Sequence, residues 1–491
     1  MNECAFEKFG VMIDCSRNAV MTVNSFKKMV DILSDLGYNT IRLYTEDTYE
    51  VDDEPYFGYL RGRYTKTELK EMDKYATKKG VELIPCIQTL AHLGTLFKYE
   101  EYKPINDIDN ILLVENERTY TLIENMFKTI SECFSTKNVH IGMDEAHRLG
   151  RGKYLDANGF VDRAEIMKKH LDKVLKIAEK YSFQCEIWGD MYMESAYGGR
   201  YVYTKDESSR VKPLVPQNLK LCYWDYYHTE LSHYEECIDR HKKLTDNVSV
   251  AGGLWTWKGF CPGTRYSLEI SKSAIKACLN KGVDEFYFTM WGDHGGECSP
   301  FSALPALVAG AEFAKGNFDM PSIKEIFKQK IGMDFDLFSS LENPDLVYAK
   351  ENEPADVVSP TRAMLYSGVA DWDYIRKVKE QLTVPVIANG GVFSRADGEK
   401  LLADTGAAGV MIARAALCDP QIFTEFSGVE RESKLVMFER QMEETRALFD
   451  ERFTTVFMRK MAAFYVKGER GAAGYKERLF AAQTPEETLA I

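Results

Sequence analysis

Two adjacent carboxyl groups, Asp144 and Glu145 in the segment IGMDEAH, are the residues of this sequence best suited to acid–base chemistry. Carboxyl groups that lie close together repel each other when both are charged, which raises the pKa of one of them and suits it to act as a general acid. Hydrolysis of a glycosidic bond needs such an acid and a second group that stabilises the positively charged transition state. The alternative is that DEAH forms the acidic first turn of a helix, and the segment alone does not separate the two interpretations.

The tryptophan residues favour the first interpretation. Sugar rings and acetamido methyl groups stack well on aromatic faces, so several tryptophans around one opening indicate a carbohydrate site. Any single tryptophan is as well explained by packing in a core. Five of the six, however, lie at the ends of segments with the composition of β-strands: Trp188, Trp224, Trp255, Trp257 and Trp291.

Eight short apolar segments alternate with amphipathic segments of helical period, which is the pattern of repeated βα units around a parallel sheet. The predicted strands are 9–15, 38–44, 81–88, 139–145, 184–190, 219–225, 248–255 and 285–292. Eight such units in about 300 residues fit one closed (β/α)₈ barrel, and a doubly wound sheet is the alternative. The barrel is favoured because polar and aromatic residues follow nearly every strand, and a barrel gathers all of these strand ends around one opening.

The overall composition excludes several functional classes. The net charge of −13 argues against a nucleic-acid surface. No apolar run reaches the roughly 20 residues of a membrane span, and the N-terminal residues lack the pattern of a signal peptide, so we expect a cytoplasmic location. The eleven cysteines are scattered without a CxxC pair, which predicts reduced thiols and no disulfide framework. The expected partner is a small molecule or a glycan.

Three histidines, His92, His147 and His294, were candidates for a metal site. They lie on different predicted loops, and no two of them have the i, i+4 spacing of a helical zinc site. Each is better explained as a structural residue or as a contact to a sugar. The sequence therefore predicts no metal site.

Four ordered motifs carry a resemblance to a known family: DCSRNAV at the first predicted strand, HIGMDEAH at the fourth, YWDYY at the sixth and MWGDHGGE at the eighth. Residues 8–320, within a first segment that extends to 360, resemble the catalytic barrel of family-20 glycoside hydrolases. The similarity is to the intracellular subgroup of exo-β-N-acetylhexosaminidases. It implies removal of terminal β-linked GlcNAc or GalNAc with retention of configuration, without a metal or another cofactor.

The resemblance also implies a mechanism in which the acetamido oxygen of the substrate attacks C1 and forms an oxazolinium intermediate. Glu145 then matches the general acid and base, Asp144 the group that orients the acetamido N–H, and Arg17 the residue that binds the hydroxyls of the non-reducing end. Tyr226, or failing that Tyr227, would donate to the acetamido oxygen. The other predicted substrate contacts are the aromatic box of Trp188, Trp255 and Trp291, the hydroxyl-binding Asp293 and Glu297, and the strand-end residues His92, Asp225 and Trp257.

The composition changes near residue 360. Residues 1–360 contain 32 Lys and 12 Arg, whereas residues 361–491 contain 7 Lys and 11 Arg, which indicates two segments of different ancestry. The second segment resembles the C-terminal part of a bacterial tRNA-dihydrouridine synthase in four further motifs: TRAMLYSGVADWDYI, PVIANGGV, TGAAGVMIARAALCDPQIF and FMRKMAAFYVKG. We therefore interpret the chain as a chimera with a barrel (1–320), a helical and polar connection (321–360), a partial flavin-barrel-like βα fragment (361–425) and a helical tail (426–491).

In that second family, backbone amides at the last two strand ends hold the phosphate of FMN. The matching positions here are Asn389, Gly390, Ala413 and Arg414. The first six strands of that barrel have no counterpart in this segment, so the site is predicted to be vestigial and no FMN is expected. The two strands predicted in this second segment, 384–391 and 408–413, also need cover, from the first barrel or from a second copy of the chain in a homodimer.

Two alternatives to the hexosaminidase hypothesis remain open. The chain could be an FMN-binding or tRNA-binding protein that acts through residues 361–491. It could also be a sugar-binding chimera whose catalysis is impaired, because the C-terminal region native to the hexosaminidase subgroup is missing.

Overall fold

The computed structural model describes residues 4–17, 19–346 and 372–491. These residues divide into two units, of which the first ends at Glu342 and the second begins at Asn343. The predicted join near residue 360, and most of the polar connection before it, lie outside the described residues. Among the residues that are described, no helix has both the length and the apolar composition that crossing a bilayer requires.

The first unit is a closed barrel of eight parallel strands, so the predicted fold class is confirmed. Its strands follow the predicted segments and are β1 (Lys8–Asp14), β2 (Thr40–Tyr44), β3 (Glu82–Cys86), β6 (Asn138–His140), β7 (Gln184–Trp188), β8 (Lys220–Trp224), β9 (Val248–Gly253) and β10 (Glu285–Met290). The barrel closes where β1 pairs with β10. A small antiparallel hairpin, β4 (Asn106–Ile108) and β5 (Ile111–Leu112), lies between β3 and β6 and was not predicted.

Helices connect the strands. The first helix shows which sequence signals allowed the helices to be predicted. Val23–Leu36 begins after Thr22, whose side chain accepts the Ser25 N–H, and it ends at Gly37, which has a φ of 96°. The longer helices of this unit are Val23–Leu36, Lys66–Lys78, Glu117–Cys133, Arg163–Lys180, Asp190–Tyr197, Leu231–Leu244, Thr264–Lys281, Leu304–Ala314 and Met320–Ile331. The shorter ones are Lys153–Asn158, Ser208–Val211 and Phe335–Ser339.

A buried ionic network fills the end of the barrel at which the strands begin. The guanidinium of Arg42 on β2 donates to Glu186 on β7 at 2.7 Å and also to Glu285 on β10. It lies 3.7 Å from the centre of the Tyr287 ring. Removing one partner of a buried ion pair leaves an uncompensated charge and lowers the free energy of unfolding by about 3–5 kcal/mol. This network therefore joins three strands below the opening that the loops form.

The second unit contains only two strands among its described residues, β11 (Ile387–Asn389) and β12 (Gly409–Met411), which pair in parallel with each other. Its helices are Asn343–Leu346, Trp372–Gln381, Arg395–Thr405, Arg414–Cys418, Ile422–Ser427, Lys434–Leu448, Glu451–Tyr465, Ala472–Ala481 and Pro485–Ala490. The segment VMFERQMEETRALFDERF, expected to be helical throughout, is interrupted at Phe449 and Asp450. The interruption arises because the Asp450 side chain accepts the Phe453 N–H at 2.7 Å and caps the next helix.

We expect β11 and β12 to exchange their amide hydrogens faster than the strands of the barrel. Each has three residues, and Ile387 and Met411 expose 59% and 50% of their surface. Short strands with little apolar cover open at a small free-energy cost. Hydrogen-exchange mass spectrometry on the full chain measures this, with β1 and β10 as the internal reference. Equal protection of both pairs of strands would contradict the expectation.

Candidate active site

A cavity of about 90 Å³, open to solvent on one side, lies at the carboxyl ends of the barrel strands. Nine of the residues proposed from the sequence line it: Arg17, His92, Asp144, Glu145, Trp188, Tyr226, Trp257, Trp291 and Asp293. Tyr44, Trp224 and Tyr227 complete its wall. Three further candidates, Asp225, Trp255 and Glu297, are not among the described residues that line it.

Backbone geometry explains how adjacent side chains reach one cavity. Successive residues of a strand point to opposite faces, but β6 ends at His140, earlier than predicted. Met143 and Glu145 then adopt left-handed conformations with φ of 70° and 51°. Gly142 has a φ of 71°, and a Cβ there would lie 2.0 Å from the Gln88 amide oxygen.

The alternative role for DEAH is wrong. The segment is irregular, and the next helix begins only at Lys153.

Asp144 is held as a carboxylate by two neighbours. Gln88 donates to its Oδ1 at 2.8 Å, and the Nε2 of His92 lies 3.2 Å from its Oδ2. Burial opposes the charge of Asp144, but the ion pair with His92 and the Gln88 hydrogen bond outweigh it and lower its pKa to about 2. Burial likewise opposes the charge of His92, whereas Asp144 raises the pKa of that imidazole to about 9. The site thus contains a fixed negative charge backed by an imidazolium.

Glu145 is positioned by different contacts. Its backbone N–H donates to Asp190 at 2.9 Å, and both terminal nitrogens of Arg200 lie 3.0 Å from its Oε1. The raised carboxyl pKa in this cluster belongs to Asp190 and reaches about 7, because the group is buried and lies near the charge of Asp144. The adjacency argument assigned the raised value to one of the pair. The pKa of Asp144 is lowered, since the His92 charge and the Gln88 hydrogen bond outweigh the effect of burial.

Arg17 lies on the loop after β1 among three carboxylates. Its guanidinium is 3.4 Å from Glu46, 3.5 Å from Asp293 and 3.9 Å from Asp14. Burial raises the pKa of Glu46 to about 7, although the charge of Arg17 counteracts the rise. The buried Nε of Arg17 has no hydrogen-bond partner within the described structure, and the same holds for the indole Nε1 of Trp188. Both residues belong to the cavity wall, but these two nitrogen atoms are themselves buried.

The aromatic wall has two layers. Trp257 lines the cavity, and Trp255 stacks behind it with the ring centres 4.4 Å apart. The indole N–H of Trp255 donates to the backbone oxygen of Tyr226 at 2.9 Å. The predicted contact between Trp255 and substrate stays a prediction: Trp255 packs against Trp257 and is not among the described lining residues, whereas Trp224 lines the cavity.

The predicted role of Asp225 is corrected. Its carboxylate is buried and accepts hydrogen bonds from the Tyr223 hydroxyl, the Tyr227 N–H and the rings of His228 and His233, all at 2.9–3.0 Å. These partners occupy both oxygens, so Asp225 anchors the loop that carries Tyr226 and Tyr227 instead of facing a sugar.

Asp225, His228 and His233 form a cluster of candidate metal ligands that the sequence analysis did not consider, with donor atoms within 4.8 Å of one another. The two imidazole rings are stacked, with centres 3.7 Å apart and planes inclined by 16°. A nitrogen lone pair lies in the plane of its ring, so two parallel rings cannot both direct lone pairs at one ion. The described geometry instead suits ring N–H donors on a shared carboxylate.

The three histidines first considered are separated. His92 lines the cavity, His147 pairs with Glu194 at 3.3 Å, and the side chain of His294 lies outside the described part of the chain.

The cluster of Asp225, His228 and His233 makes the stability of the protein dependent on pH. Burial opposes the charge of His233, but its hydrogen bond to Asp225 raises its pKa from 6.5 to about 10. A pKa raised by folding stabilises the protein fully below about pH 6.5, and this contribution is lost as the pH rises to about 10. We therefore expect the melting temperature of the His233→Gln variant to fall less than that of the wild type between those pH values. Melting temperatures are measured by circular dichroism, and an equal fall for the wild type and the variant over this pH range would contradict the expectation.

Sequence reasoning missed several groups of the site: Tyr44, Glu46, Gln88, Asp190 and Arg200. Four of them follow or end β2, β3 and β7, so the strand-end criterion could have found them. Arg200 follows a helix and has no signal of this kind. Its contact with Glu145 spans 55 residues and is set by the fold alone.

Comparisons with known proteins match two successive segments. The family model of glycosyl hydrolase family 20, catalytic domain, matches residues 6–230, so the MWGDHGGE motif lies beyond the matched range. Hexosaminidase D of Bos taurus is 25% identical over 241 residues, which cover 45% of this chain and 62% of that protein. The β-N-acetylhexosaminidase of Streptomyces coelicolor gives a TM-score of 0.49 at 15% identity and covers 67% of this chain and 70% of its own.

The dihydrouridine synthase (Dus) family model matches residues 347–491. The probable tRNA-dihydrouridine synthase 1 of Synechocystis sp. is 36% identical over 143 residues, which cover 26% of this chain and 38% of that protein. That of Rickettsia conorii is 45% identical over 65 residues, 13% of this chain and 20% of that protein. The chain thus spans less than two thirds of the length of Hexosaminidase D and of both synthases. The resemblance of its two segments to two different families is confirmed.

Proposed function

We propose that the first unit is a retaining exo-β-N-acetylhexosaminidase that removes terminal β-linked GlcNAc or GalNAc by substrate-assisted catalysis. One observation carries the proposal: the side chains of Asp144, Glu145, Arg17 and Asp293 line one cavity with an aromatic wall. The match of residues 6–230 to the glycosyl hydrolase model supports it.

In the first step, the acetamido oxygen forms a bond to C1 while the bond from C1 to the leaving oxygen breaks. Glu145 gives its proton to that oxygen. Asp144 accepts the acetamido N–H and stabilises the positive charge of the oxazolinium, for which its low pKa suits it. In the second step, water attacks C1, its proton passes to Glu145, and the acetamide is restored. The sugar leaves with its original configuration.

His92 and Gln88 act through Asp144. His92 keeps the carboxylate charged, and Gln88 also donates to the Tyr44 hydroxyl at 2.9 Å, so one amide joins two side chains of the cavity wall. Arg17 and Asp293, 3.5 Å apart, would together bind the hydroxyls of the non-reducing end. A fork of guanidinium donors beside a carboxylate acceptor suits neighbouring hydroxyl groups.

The test compares two chromogenic substrates that share one leaving group, an N-acetyl-β-glucosaminide and the matching β-glucoside. A mechanism that uses the acetamido oxygen hydrolyses the first and leaves the second intact. NMR should show the β-anomer as the first product. Hydrolysis of both would indicate an enzymic nucleophile and contradict substrate assistance. Binding of the first without turnover would support the alternative of an impaired sugar-binding protein.

For the second unit we propose that no flavin is bound. Asn389 ends β11, and Ala413 and Arg414 begin a helix of five residues after β12. These two strand ends could provide backbone groups for a phosphate. The described residues of this unit do not, however, offer walls for both faces of an isoalloxazine ring, since two strands cannot close a barrel. Absorbance of the purified chain near 450 nm tests this, and stoichiometric FMN would favour the flavoprotein alternative.

A further inference from the structure

Arg200 contacts two residues that line the cavity, Glu145 and Trp224, and is not used in the proposed mechanism. It follows the helix Asp190–Tyr197, and its guanidinium stacks 4.5 Å from the centre of the Trp224 ring while it contacts Glu145. Two hydrogen bonds hold the backbone around Arg200. Tyr203 donates to the Arg200 backbone oxygen at 3.2 Å, and Tyr201 donates to the Trp224 backbone oxygen at 2.9 Å. Arg200 is thus a fixed group with one quarter of its side chain exposed.

The position of Arg200 relative to the substrate follows from its partner. Glu145, as the proposed acid, must lie beside the oxygen that links the terminal sugar to the leaving group. Arg17 and Asp293, the proposed ligands of the opposite end of that sugar, contact each other, whereas Arg200 contacts Glu145. A guanidinium on Glu145 therefore lies on the side of the leaving group, where the side chains of both residues remain partly open to solvent.

Charge balance adds a second argument. Both terminal nitrogens of Arg200 approach a single oxygen of Glu145, so the remaining N–H groups of the guanidinium are not used by that carboxylate. When Glu145 carries the proton that it gives to the leaving group, it is neutral, and Arg200 loses its contacting counter-charge and keeps only that of the nearby Asp190. An anion delivered by the substrate would restore the balance at the moment the acid must be protonated.

We propose that Arg200 forms a binding site for an oxyanion group on the leaving group, such as a carboxylate, sulfate or phosphate on the unit attached to the cleaved bond. The preferred substrates are then N-acetylhexosaminides with an acidic aglycone. This inference rests on the proposed hydrolase function. Trp224 holds the guanidinium in place, since the Arg200 group lies over its ring while Tyr226 stacks on that ring with the centres 5.2 Å apart.

The test uses two aryl N-acetyl-β-glucosaminides, with a para-carboxyphenyl and a para-carboxamidophenyl leaving group, and reads the ratio of their kcat/KM values. The wild type should prefer the carboxylate by about tenfold, the effect of one charged hydrogen bond. Arg200→Gln should bring the ratio close to that set by leaving-group acidity alone, and Arg200→Lys should restore part of it. The matched control is Arg163→Gln, because Arg163 pairs with Glu194 and donates to the His147 backbone at 2.8 Å. Its ratio should stay at the wild-type value.

If the Arg200 variants lose all activity, the proposal is tested on the wild type alone, by the salt dependence of its substrate preference. Its preference for the carboxylate should fall as salt rises from about 0.05 M to about 0.5 M, because salt screens a partly exposed pair. A ratio that is insensitive to both salt and Arg200→Gln overturns the anion site while the hydrolase proposal stands. If the wild type cleaves neither substrate, the hydrolase proposal fails, and the anion site falls with it.

Discussion

Glu145→Gln should lower kcat by about 10²–10⁴ for N-acetylhexosaminides with a poorly acidic leaving group, because the variant has no proton to give to the departing oxygen. The amide keeps the shape of the side chain, and its oxygen can still accept from Arg200, so the cavity should be preserved. A substrate with a strongly acidic phenol as leaving group needs little protonation and should lose much less in its first step. Steady-state kinetics on the two substrates measure the difference.

The two substrates serve as controls for each other. A folding defect or a distorted cavity would slow both by the same factor, whereas loss of the acid slows them unequally. An equally small loss for both would show that Glu145 is not the acid. Such a result would direct attention to Asp190, whose pKa of about 7 also suits proton transfer near neutral pH.

Asp144→Asn should reduce kcat by about 10²–10³, because the charge that stabilises the oxazolinium nitrogen is removed. The amide also brings a donor against Gln88, which now donates to Asp144, or against the Nε2 of His92, which lies 3.2 Å away. Activated and poor leaving groups should lose comparable amounts, in contrast to Glu145→Gln, since the intermediate is destabilised for both. Kinetics together with a melting curve measure the effect.

Asp225→Asn is the matched control for this variant. Both carboxylates are buried and paired with imidazoles, but Asp225 is outside the cavity lining. The control should therefore lower stability more than activity, whereas Asp144→Asn should do the reverse. Full activity of Asp144→Asn would refute the role proposed for Asp144. A large loss of activity with unchanged melting in Asp225→Asn would restore Asp225 as a substrate contact.

The barrel could be predicted because each of its strands is a separate apolar segment between amphipathic helices. Positions within the site were harder to predict, since they depend on which face each residue takes. Trp224 and Asp225 are adjacent at the end of β8, so they point to opposite sides: the indole lines the cavity and the carboxylate turns toward His228 and His233. The sequence places both residues at a strand end but does not indicate which of the two side chains faces the cavity.

Asp144 and Glu145 show the opposite case. Strand alternation would have separated them, and only the left-handed residues after β6 bring both into the cavity. Gly142 is visible in the sequence as a signal of such a turn, but Met143 and Glu145 give no sign that they take positive φ. Contacts between distant residues, such as Arg200 with Glu145, were beyond reach because a single sequence carries no record of which loops meet.

The seam of the barrel has a consequence for the order of events during synthesis. β1 pairs with β10, whose residues lie more than 270 positions later in the chain, as Lys8 with Glu285. At a translation rate of about 5–20 residues per second, one edge of β1 stays unpaired for roughly 15 to 55 s before β10 has been synthesised. Arg17 and Asp293 lie on either side of this same seam, so the proposed sugar-binding fork is assembled only by closure. Hydrolytic activity in a translation reaction would therefore time the moment at which the barrel closes.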